Sequence, residues 1–380
     1  MREGWTYKKL GEVATFINGY AFKPDQWKDS GTPIVRIQNL NNPDAPYNYY
    51  DGEVPNKVKI KDGDLLISWS ASLGTYIWKG GDAFLNQHIF KVEFDKLDVD
   101  KMFLKYAVTS KLDAMTQLVH GATMKHIVKK DFDNTPIPYP SLSEQQSIVS
   151  ELDKINELIS LKKAQLSDLD NLAQSIFYDM FGDPIVNEKG WEVKILGDEC
   201  VDMKYGTSRP ASENGRYKYL RMGNITSDGH LDLLDLKYID IPNEEVEKCI
   251  VRHGDILFNR TNSYELIGKT CMFDLLEPMI IAGYIIRVRL SNNLHPRYVS
   301  IMFNLPSFKK LLRSKAKGAV NQANINSKEL ASIRIPLPPL PLQQEFAKRI
   351  ELIEQQKAQI SSTIKDLETL LASRMQYWFD

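Results

Sequence analysis

Cysteine is scarce in this 380-residue sequence: there are three, Cys200, Cys249 and Cys271, all in the second half and none spaced as CxxC. That pattern argues against a disulfide framework and fits a reducing cytoplasm. Long apolar runs are missing too. No stretch approaches the ~18 consecutive apolar residues of a membrane span, and the opening MREGWTYKKLGEV has no apolar core, so no signal peptide is expected. Charge of one sign is not in excess. The net charge is −1, distributed as +1 over residues 1–141, −4 over 142–181, +3 over 182–339 and −1 over 340–380. Any surface for a polyanion must therefore be local.

Catalytic signatures are equally thin. The six histidines form no HExxH and no metal-ligand spacing with the cysteines, so no metal site is expected. Gly268-Lys269-Thr270 looks like the end of a phosphate-binding loop, but the glycine required five residues earlier is Ser263. Asp183, Glu192 and Lys194 imitate the Asp…Glu-x-Lys spacing of metal-dependent nucleases, a short and often accidental pattern, and the corresponding place of Glu192 in the first half is Thr6. There is no glycine-rich methyl-donor motif, and NTPIPY at 134–139 does not fit the Asn/Asp-Pro-Pro-aromatic signature of amino-methyltransferases. No catalytic residue and no cofactor held by this chain are expected.

What is present is a duplication. Gly4-Trp5 followed by Leu10-Gly11-Glu12 returns as Gly190-Trp191 followed by Leu196-Gly197-Asp198, at an offset of 186. Arg36 and Asn39 return as Arg221 and Asn224, Gly63-Asp64-Leu65-Leu66 as Gly254-Asp255-Ile256-Leu257, and Gly121-Ala122 as Gly318-Ala319. Pro138, Pro140, Leu142, Gln145 and Gln146 return as Pro336, Pro338, Leu340, Gln343 and Gln344, at an offset of 198. Matches in the same order over half the chain each mark an internal repeat. At 43% hydrophobic and 26% charged residues, the composition is that of a core-forming chain of two or three domains.

Each copy ends in a helix signal. Ser143 with Gln146 reads as a capping box. Positions 148, 152, 155, 159, 162, 166, 169, 173, 176 and 180 then read Ile, Leu, Ile, Ile, Lys, Leu, Leu, Ala, Ile, Met, a heptad seam broken only at Lys162. Shifted by 198, the second seam reads Phe346, Ile350, Ile353, Lys357, Ile360, Ile364, Leu367, Leu371, Arg374, Trp378. Two such seams should pack on each other, and forty residues of helix span roughly 60 Å. The alternative, each helix lying on its own domain, rarely sustains a heptad seam for so long. The proline-punctuated strands TPIPYPSLS (135–143) and IPLPPLPLQ (335–343) lead into the helices as stiff hinges, with a polyproline ligand as the alternative for the second.

Before each helix, β-rich runs alternate with Gly/Asn/Asp turns: GTPIVRIQ, DGDLLISW and FKVEF, then KYLRMG, GDILFN and IIRVRL. One helix follows near 99–118 and another near 297–315. The expected fold is α+β or mixed α/β. Two globular domains, 1–141 and 183–339, are separated by two long antiparallel coiled-coil helices, 142–182 and 340–380, in a pseudo-twofold repeat.

The remaining chemistry is polar loop material suited to bases and phosphates. FNRTNSYE places Asn259, Arg260, Thr261, Asn262 and Tyr264 after a strand; arginine suits guanine and asparagine suits adenine in the major groove. A hydrogen-bonded turn is the plainer explanation of that segment. Asn321, Gln322 and Asn324 follow Gly318-Ala319, as Thr123 and Lys125 follow Gly121-Ala122, and glycine-rich loops approach phosphates closely. Lys309, Lys310, Arg313, Lys315 and Lys317 precede the second of these loops, where a solvated helix face competes with phosphate contact. Arg209 joins the candidates in the second domain. Trp69, Ser70, Ser72, Gln87 and His88, with Asn86 between strands, are the first domain's analogues.

Duplicated domain-plus-helix order, Pro-x-Pro-x-x-Leu-x-x-Gln-Gln before each helix, Gly-Trp after the first helix, and the segments FNRTNS and NQANI together resemble the specificity subunits of type I restriction-modification enzymes. The resemblance covers the whole chain. It implies that two target-recognition domains each read half of a split double-stranded DNA site. The paired helices would fix the gap and dock two methyltransferase subunits through Ile148, Leu152, Ile155, Ile350, Ile353 and Ile360. Restriction subunits would join indirectly, and S-adenosylmethionine would sit on the methyltransferase. Reading heads about one DNA turn apart, on the order of 34 Å, suit such a spacer. The helices match without gaps while the domains drift, so the two half-sites should differ. The competing readings are a stand-alone nuclease or methyltransferase, and a coiled-coil adaptor that binds only protein.

Overall fold

The computed structural model describes residues 5–42, 44–118, 127–319 and 322–380. The chain forms two compact units, Met1–Lys163 with Ser362–Asp380, and Ala164–Ser361. Each unit therefore combines one globular domain with a segment of both long helices.

In the first unit, four antiparallel strands lie in the order Thr15–Asn18, Ile89–Glu93, Leu65–Ser68, Gly74–Ile77. The middle strand Leu65–Ser68 is buried along its whole length, and its alternation divides two cores. Leu65 and Ile67 join Phe16, Phe90 and Val92 beneath the helix residues Phe103, Leu104, Ala107 and Val108. Leu66 points the other way, to Val35, Ile60, Leu85 and Ile89. A second sheet follows the order Asn48–Tyr50, Thr32–Val35, Ala83–Leu85, Lys59–Ile60, with Thr32–Val35 and Ala83–Leu85 as its parallel pair.

The second unit repeats this arrangement. One sheet runs Cys200–Tyr205, Ile285–Leu290, Ile256–Asn259, Thr270–Met272, and the other Lys237–Ile239, Tyr217–Leu220, Met279–Ile281, Ile250–Val251. The parallel pair recurs in the equivalent place, Leu220 opposite Ile281 where the first unit has Val35 opposite Leu85. The second unit also contains a small sheet of Thr261–Asn262, Gln322–Asn324 and Lys317–Ala319.

Repeated sequence motifs turn out to be repeated joints. Asn39 and Asn224, each 3% exposed, accept from the backbone N–H of Arg36 and Arg221 and donate to carbonyls across the following loop. A Cβ on Gly11 would meet Asp133 at 3.0 Å, and one on Gly197 would meet Ala331 at 3.1 Å, so the turn can press on the next helix. Pro136, Pro138 and Pro336 sit in two-stranded ribbons, Thr6–Lys9 with Pro136–Tyr139 and Glu192–Ile195 with Arg334–Leu337, and Pro140, Pro338 and Pro339 lie between ribbon and helix. Two-stranded ribbons tolerate a missing N–H.

The long helices are Leu142–Phe181 and Leu340–Phe379, 40 residues each. The capping box of the first is Ser141 with Glu144, not Ser143 with Gln146. Ser141 Oγ accepts from the Glu144 N–H (3.3 Å), and Glu144 accepts from the Ser141 N–H (3.0 Å). The helix begins earlier than Ser143 because Gln145 is needed inside. Fully buried, it accepts from Asp100 N–H (2.9 Å) and donates to the Pro140 carbonyl (3.0 Å). Gln343 does the same, accepting from His295 N–H and donating to Asn293 and Pro338 carbonyls.

Both seams face inward, and within each unit the helix segments run antiparallel. In the first unit Glu151 binds Arg374 and accepts from Trp378 Nε1 (3.1 Å), and Lys163 meets Glu368 at 2.9 Å. Trp378 stacks on Trp5, bringing the end of the second helix beside the start of the first domain. In the second unit Lys357 meets Asp170 at 2.7 Å. Phe181 packs on Tyr298 there, as Phe379 packs on Phe103 in the first unit.

The helix Lys101–Leu118 matches expectation, but the single helix expected near 297–315 is two, Pro296–Asn304 and Pro306–Lys315. Leu305 between them is extended, with φ −63° and ψ 145°. Pro306 forces the break, because its ring disfavours helical backbone in the preceding residue and it has no N–H to continue the ladder.

Candidate nucleic-acid interface

Several of the candidate residues gather at one end of the main sheet in each domain, where two strand ends are tied by equivalent bonds. In the second unit, Arg260 N–H donates to the Tyr284 carbonyl (3.0 Å), and Ile325 N–H donates to the Arg260 carbonyl (2.9 Å). In the first, Trp69 N–H donates to the His88 carbonyl (3.2 Å), and Ile127 N–H donates to the Trp69 carbonyl (3.1 Å). Trp69 thus corresponds to Arg260, His88 to Tyr284, and Asn86-Gln87 to Ala282-Gly283. A third segment closes each site: Tyr20 bridges Asn86, and Thr207 bridges Ala282. Close approach there requires glycine just before. A Cβ on Gly19 would lie 2.0 Å from the Asn86 carbonyl oxygen, and one on Gly206 2.0 Å from that of Ile281.

The second domain presents a concave surface of about 640 Å³, lined among others by Arg209, Arg221, Met222, Arg260, Gly283 and Tyr284. Its three arginines are held differently. Arg209 pairs with Glu245 at 2.7 Å, and Arg221 with Asp235 at 2.6 Å. Arg260 makes no ion pair among the described residues. Its Nε donates to Asn324 Oδ1 (3.2 Å), and its guanidinium lies over the Tyr205 ring, 4.9 Å from the centroid. Tyr284 is 55% exposed at the rim.

The first domain offers different chemistry on the same frame. Trp69 stacks on Phe90 at 5.5 Å and meets His88 edge-on at 5.0 Å. Ala71 and His88 adopt positive φ, 60° and 73°, bending the two loops sharply. Gln87 and Ser72 are exposed beside them. Arg36, the counterpart of Arg221, donates to Asn48 (3.0 Å) and lies over Trp27, and it pairs with no acid among the described residues.

Several expected contacts are corrected by burial. Asn259 is fully buried and Thr261 is 7% exposed, because strand Ile256–Asn259 continues into the sheet and Thr261 pairs with Asn324. Ser70 is likewise buried. These three support the loops and are closed to a ligand. Asn262 is partly exposed opposite Ala323, and Tyr264 is exposed. Asn324, partly exposed, braces Arg260 through its Oδ1. In the basic run, Lys309 donates to the Gly268 carbonyl (2.8 Å) and Arg313 to that of Glu265 (3.0 Å), so both hold a turn. Burial, with Arg313 and Lys269 nearby, pulls Lys309 down to about 8. Lys310 and Lys315 stay exposed. Thr123, Lys125 and Asn321 lie outside the described residues, as do the side chains of Lys317 and Gln322.

Sequence reading missed Tyr284, Arg221 and Tyr205. Aligning FLNQHIFKV with IIAGYIIRV would have placed Tyr284 beside His88. Tyr205 enters only through the fold.

The six helix residues expected to meet a partner, Ile148, Leu152, Ile155, Ile350, Ile353 and Ile360, are all buried at 8% exposure or less. They hold the helix segments and domains together. Leu158, Leu161, Leu172, Leu352 and Leu370 are left open on the long helices, as are Leu142 and Tyr377 near their ends.

Catalytic fragments dissolve into structural roles. The Asp183 carboxylate accepts from Ile185 N–H (2.8 Å), Lys194 pairs with Glu192, and Thr270 is fully buried. Burial and the neighbouring Glu199 and Asp202 push the Cys200 thiol up to about 12, and burial raises Cys249 and Cys271 as well. Among the described residues no group of three or more His, Cys, Asp or Glu could hold a metal, and no helix is long and apolar enough to cross a membrane.

The sequence model for the type I restriction modification DNA specificity domain matches residues 2–171 and again 188–369. The chain is 26% identical over 387 residues to the type I restriction enzyme EcoKI specificity subunit of Escherichia coli K12, covering 92% of this chain and 82% of that one. It is 25% identical over 398 residues to the MjaVIII specificity subunit of Methanocaldococcus jannaschii, covering 97% and 92%. A solved chain from work on complex assembly and conformational transition of the type I R-M system superposes with a TM-score of 0.61 at 18% identity, over 99% of this chain and 97% of that one. The S subunit of the type I system of M. genitalium superposes with a TM-score of 0.51 at 15% identity, over 99% and 96%. Matched twice along its length by one DNA-specificity domain, this chain belongs to the family of type I restriction-modification specificity subunits.

Proposed function

We propose that this specificity subunit reads a split, non-palindromic double-stranded DNA site, one half with each domain. The observation that carries the reading is the pair of equivalent loop sets: the same backbone positions hold Trp69 and His88 in one domain and Arg260 and Tyr284 in the other. A shared frame with unlike side chains suits two readers of different sequence. Two methyltransferase subunits dock on the outer faces of the helices, where Leu158, Leu161, Leu172, Leu352 and Leu370 are open, and restriction subunits join through them. S-adenosylmethionine and the methylation chemistry belong to the methyltransferase, and the complex works in the cytoplasm on cellular DNA.

The test is selection from a randomised duplex pool by the full chain with its methyltransferase, followed by sequencing. The expected outcome is a motif in two unlike halves with a fixed gap. No enrichment would favour a protein-only adaptor. Methyl transfer or DNA cleavage by the chain alone, given magnesium and S-adenosylmethionine, would overturn the non-catalytic assignment.

A further inference from the structure

The three arginines of the second domain's concave surface are not equivalent, and the difference assigns a role. Arg209 and Arg221 each spend their charge on a carboxylate, Glu245 at 2.7 Å and Asp235 at 2.6 Å. A paired arginine facing DNA must give up its acid or bring that acid's charge toward the phosphates. Arg260 has no such partner among the described residues. What holds it is neutral: the amide oxygen of Asn324 on Nε at 3.2 Å, and the face of Tyr205 at 4.9 Å.

These contacts orient the guanidinium and leave its outer edge available. Nε is occupied, and no hydrogen bond is made by the two terminal nitrogens among the described residues. The backbone on both sides is pinned, N–H to Tyr284 and carbonyl to Ile325 N–H. Asn324 is itself fixed, since its strand pairs with Thr261–Asn262 and Lys317–Ala319. A braced guanidinium loses little side-chain freedom on binding, which favours selective contact over loose attraction to phosphate. Its two terminal N–H groups match the paired O6 and N7 acceptors of guanine in the major groove. Next to Arg260, Gly283 lacks a side chain to obstruct a base, and exposed Tyr284 supplies a wall.

The geometry points to Arg260 as the reader of a guanine in the half-site taken by the second domain, with Asn324 and Tyr205 as its positioning residues. The inference rests on the DNA-reading role proposed above. The first domain cannot repeat it, because the equivalent residue is Trp69, stacked on Phe90. A guanine dependence traceable to this position therefore belongs to one half-site only.

The experiment compares the motif selected from random duplexes by the full chain with its methyltransferase, for wild type and for Arg260→Gln. Wild type is expected to demand guanine at one position of one half-site. Arg260→Gln should relax that position, or shift it toward adenine, with discrimination falling about 10-fold or more, and leave the other half-site and the gap unchanged. Asn324→Ala should blur the same position and no other. In parallel, the selected duplex carrying 7-deazaguanine at that position lacks the N7 acceptor. It should bind wild type more weakly than unmodified DNA, a readout independent of whether the variants fold. If Arg260→Gln weakens every sequence alike and flattens the salt dependence, or if 7-deazaguanine has no effect, Arg260 is a phosphate contact or a structural residue and the inference fails while DNA reading stands. If wild type selects no motif at all, the DNA-reading proposal fails as well.

Discussion

Gln145 and Gln343 each close a joint that no apolar residue could close. Each buried amide satisfies one N–H at the start of a domain helix and a carbonyl of the proline segment that leads into a long helix. Gln343→Leu would strand the His295 N–H and the Asn293 and Pro338 carbonyls. At roughly 1–3 kcal/mol for a desolvated group left unmade, the loss should be about 3 kcal/mol or more, read as a lower midpoint in chemical unfolding. An unchanged midpoint would show that water replaces the amide. His230 supplies a second residue-scale prediction. It lies between Asp228 at 3.3 Å and Glu354 at 3.2 Å, with Lys357 and its partner Asp170 beyond, and the hydrogen bonds to Asp228 and Glu354 raise it from an ordinary 6.5 to about 9. A raised folded value means the protonated form is favoured in the folded state. Its stabilisation is therefore complete below about pH 6.5 and fades as pH rises through 9. His230→Asn should lower the melting temperature at pH 6 and matter little at pH 10. Equal loss at both would show that the contact does not depend on the charge.

At the scale of elements, the parallel strand pair in each domain leads into two of the loops at the candidate surface, those that begin at Arg36 and Asn86 in one domain and at Arg221 and Ala282 in the other. Gly206 and Gly19 let the neighbouring segment run against that pair, with no room for a Cβ beside the Ile281 and Asn86 carbonyls. Gly206→Ala should push Thr207–Arg209 away from Ala282–Tyr284. Selected motifs should then lose information in one half-site while the other persists. A motif unchanged in both halves would mean that the loop position is irrelevant to reading. The break at Leu305-Pro306 has its own element-scale consequence. It lets Pro306–Lys315 turn so that Lys309 and Arg313 clamp the Glu265–Gly268 turn, and their positive charge is spent on backbone carbonyls there.

At the scale of the molecule, both long helices run unbroken through the boundary at which the chain divides into compact units. Their inward seams are duplicated in register, so length is a property the pair must share. We expect that inserting one heptad in each helix, within 148–176 and within 346–374, lengthens the gap in the selected DNA motif and leaves both half-site sequences intact. Altered half-sites with an unaltered gap would overturn the spacer role. The rivals of an independent enzyme and a protein-only adaptor also meet their test at this scale, in assays of the whole chain with and without its methyltransferase.

Much of this was legible in the one-dimensional pattern. Duplication, heptad seams and the strand-rich domains follow from periodicity, because burial of one helix face or of alternate strand residues leaves the same trace wherever it occurs. Repeated Asn39 and Asn224, or Gln145 and Gln343, were visible as repeats although their role as buried joints was not. Only tertiary structure could decide which polar residues of FNRTNSYE remain available. Asn259 and Thr261 are consumed by sheet pairing, whereas Arg260, between them, is turned outward and braced by Asn324, 64 residues away. It also decided that the apolar seam residues hold the chain together, leaving a different set of leucines open. Periodicity records which faces are buried; it does not record what buries them, since that depends on contacts between residues far apart in sequence.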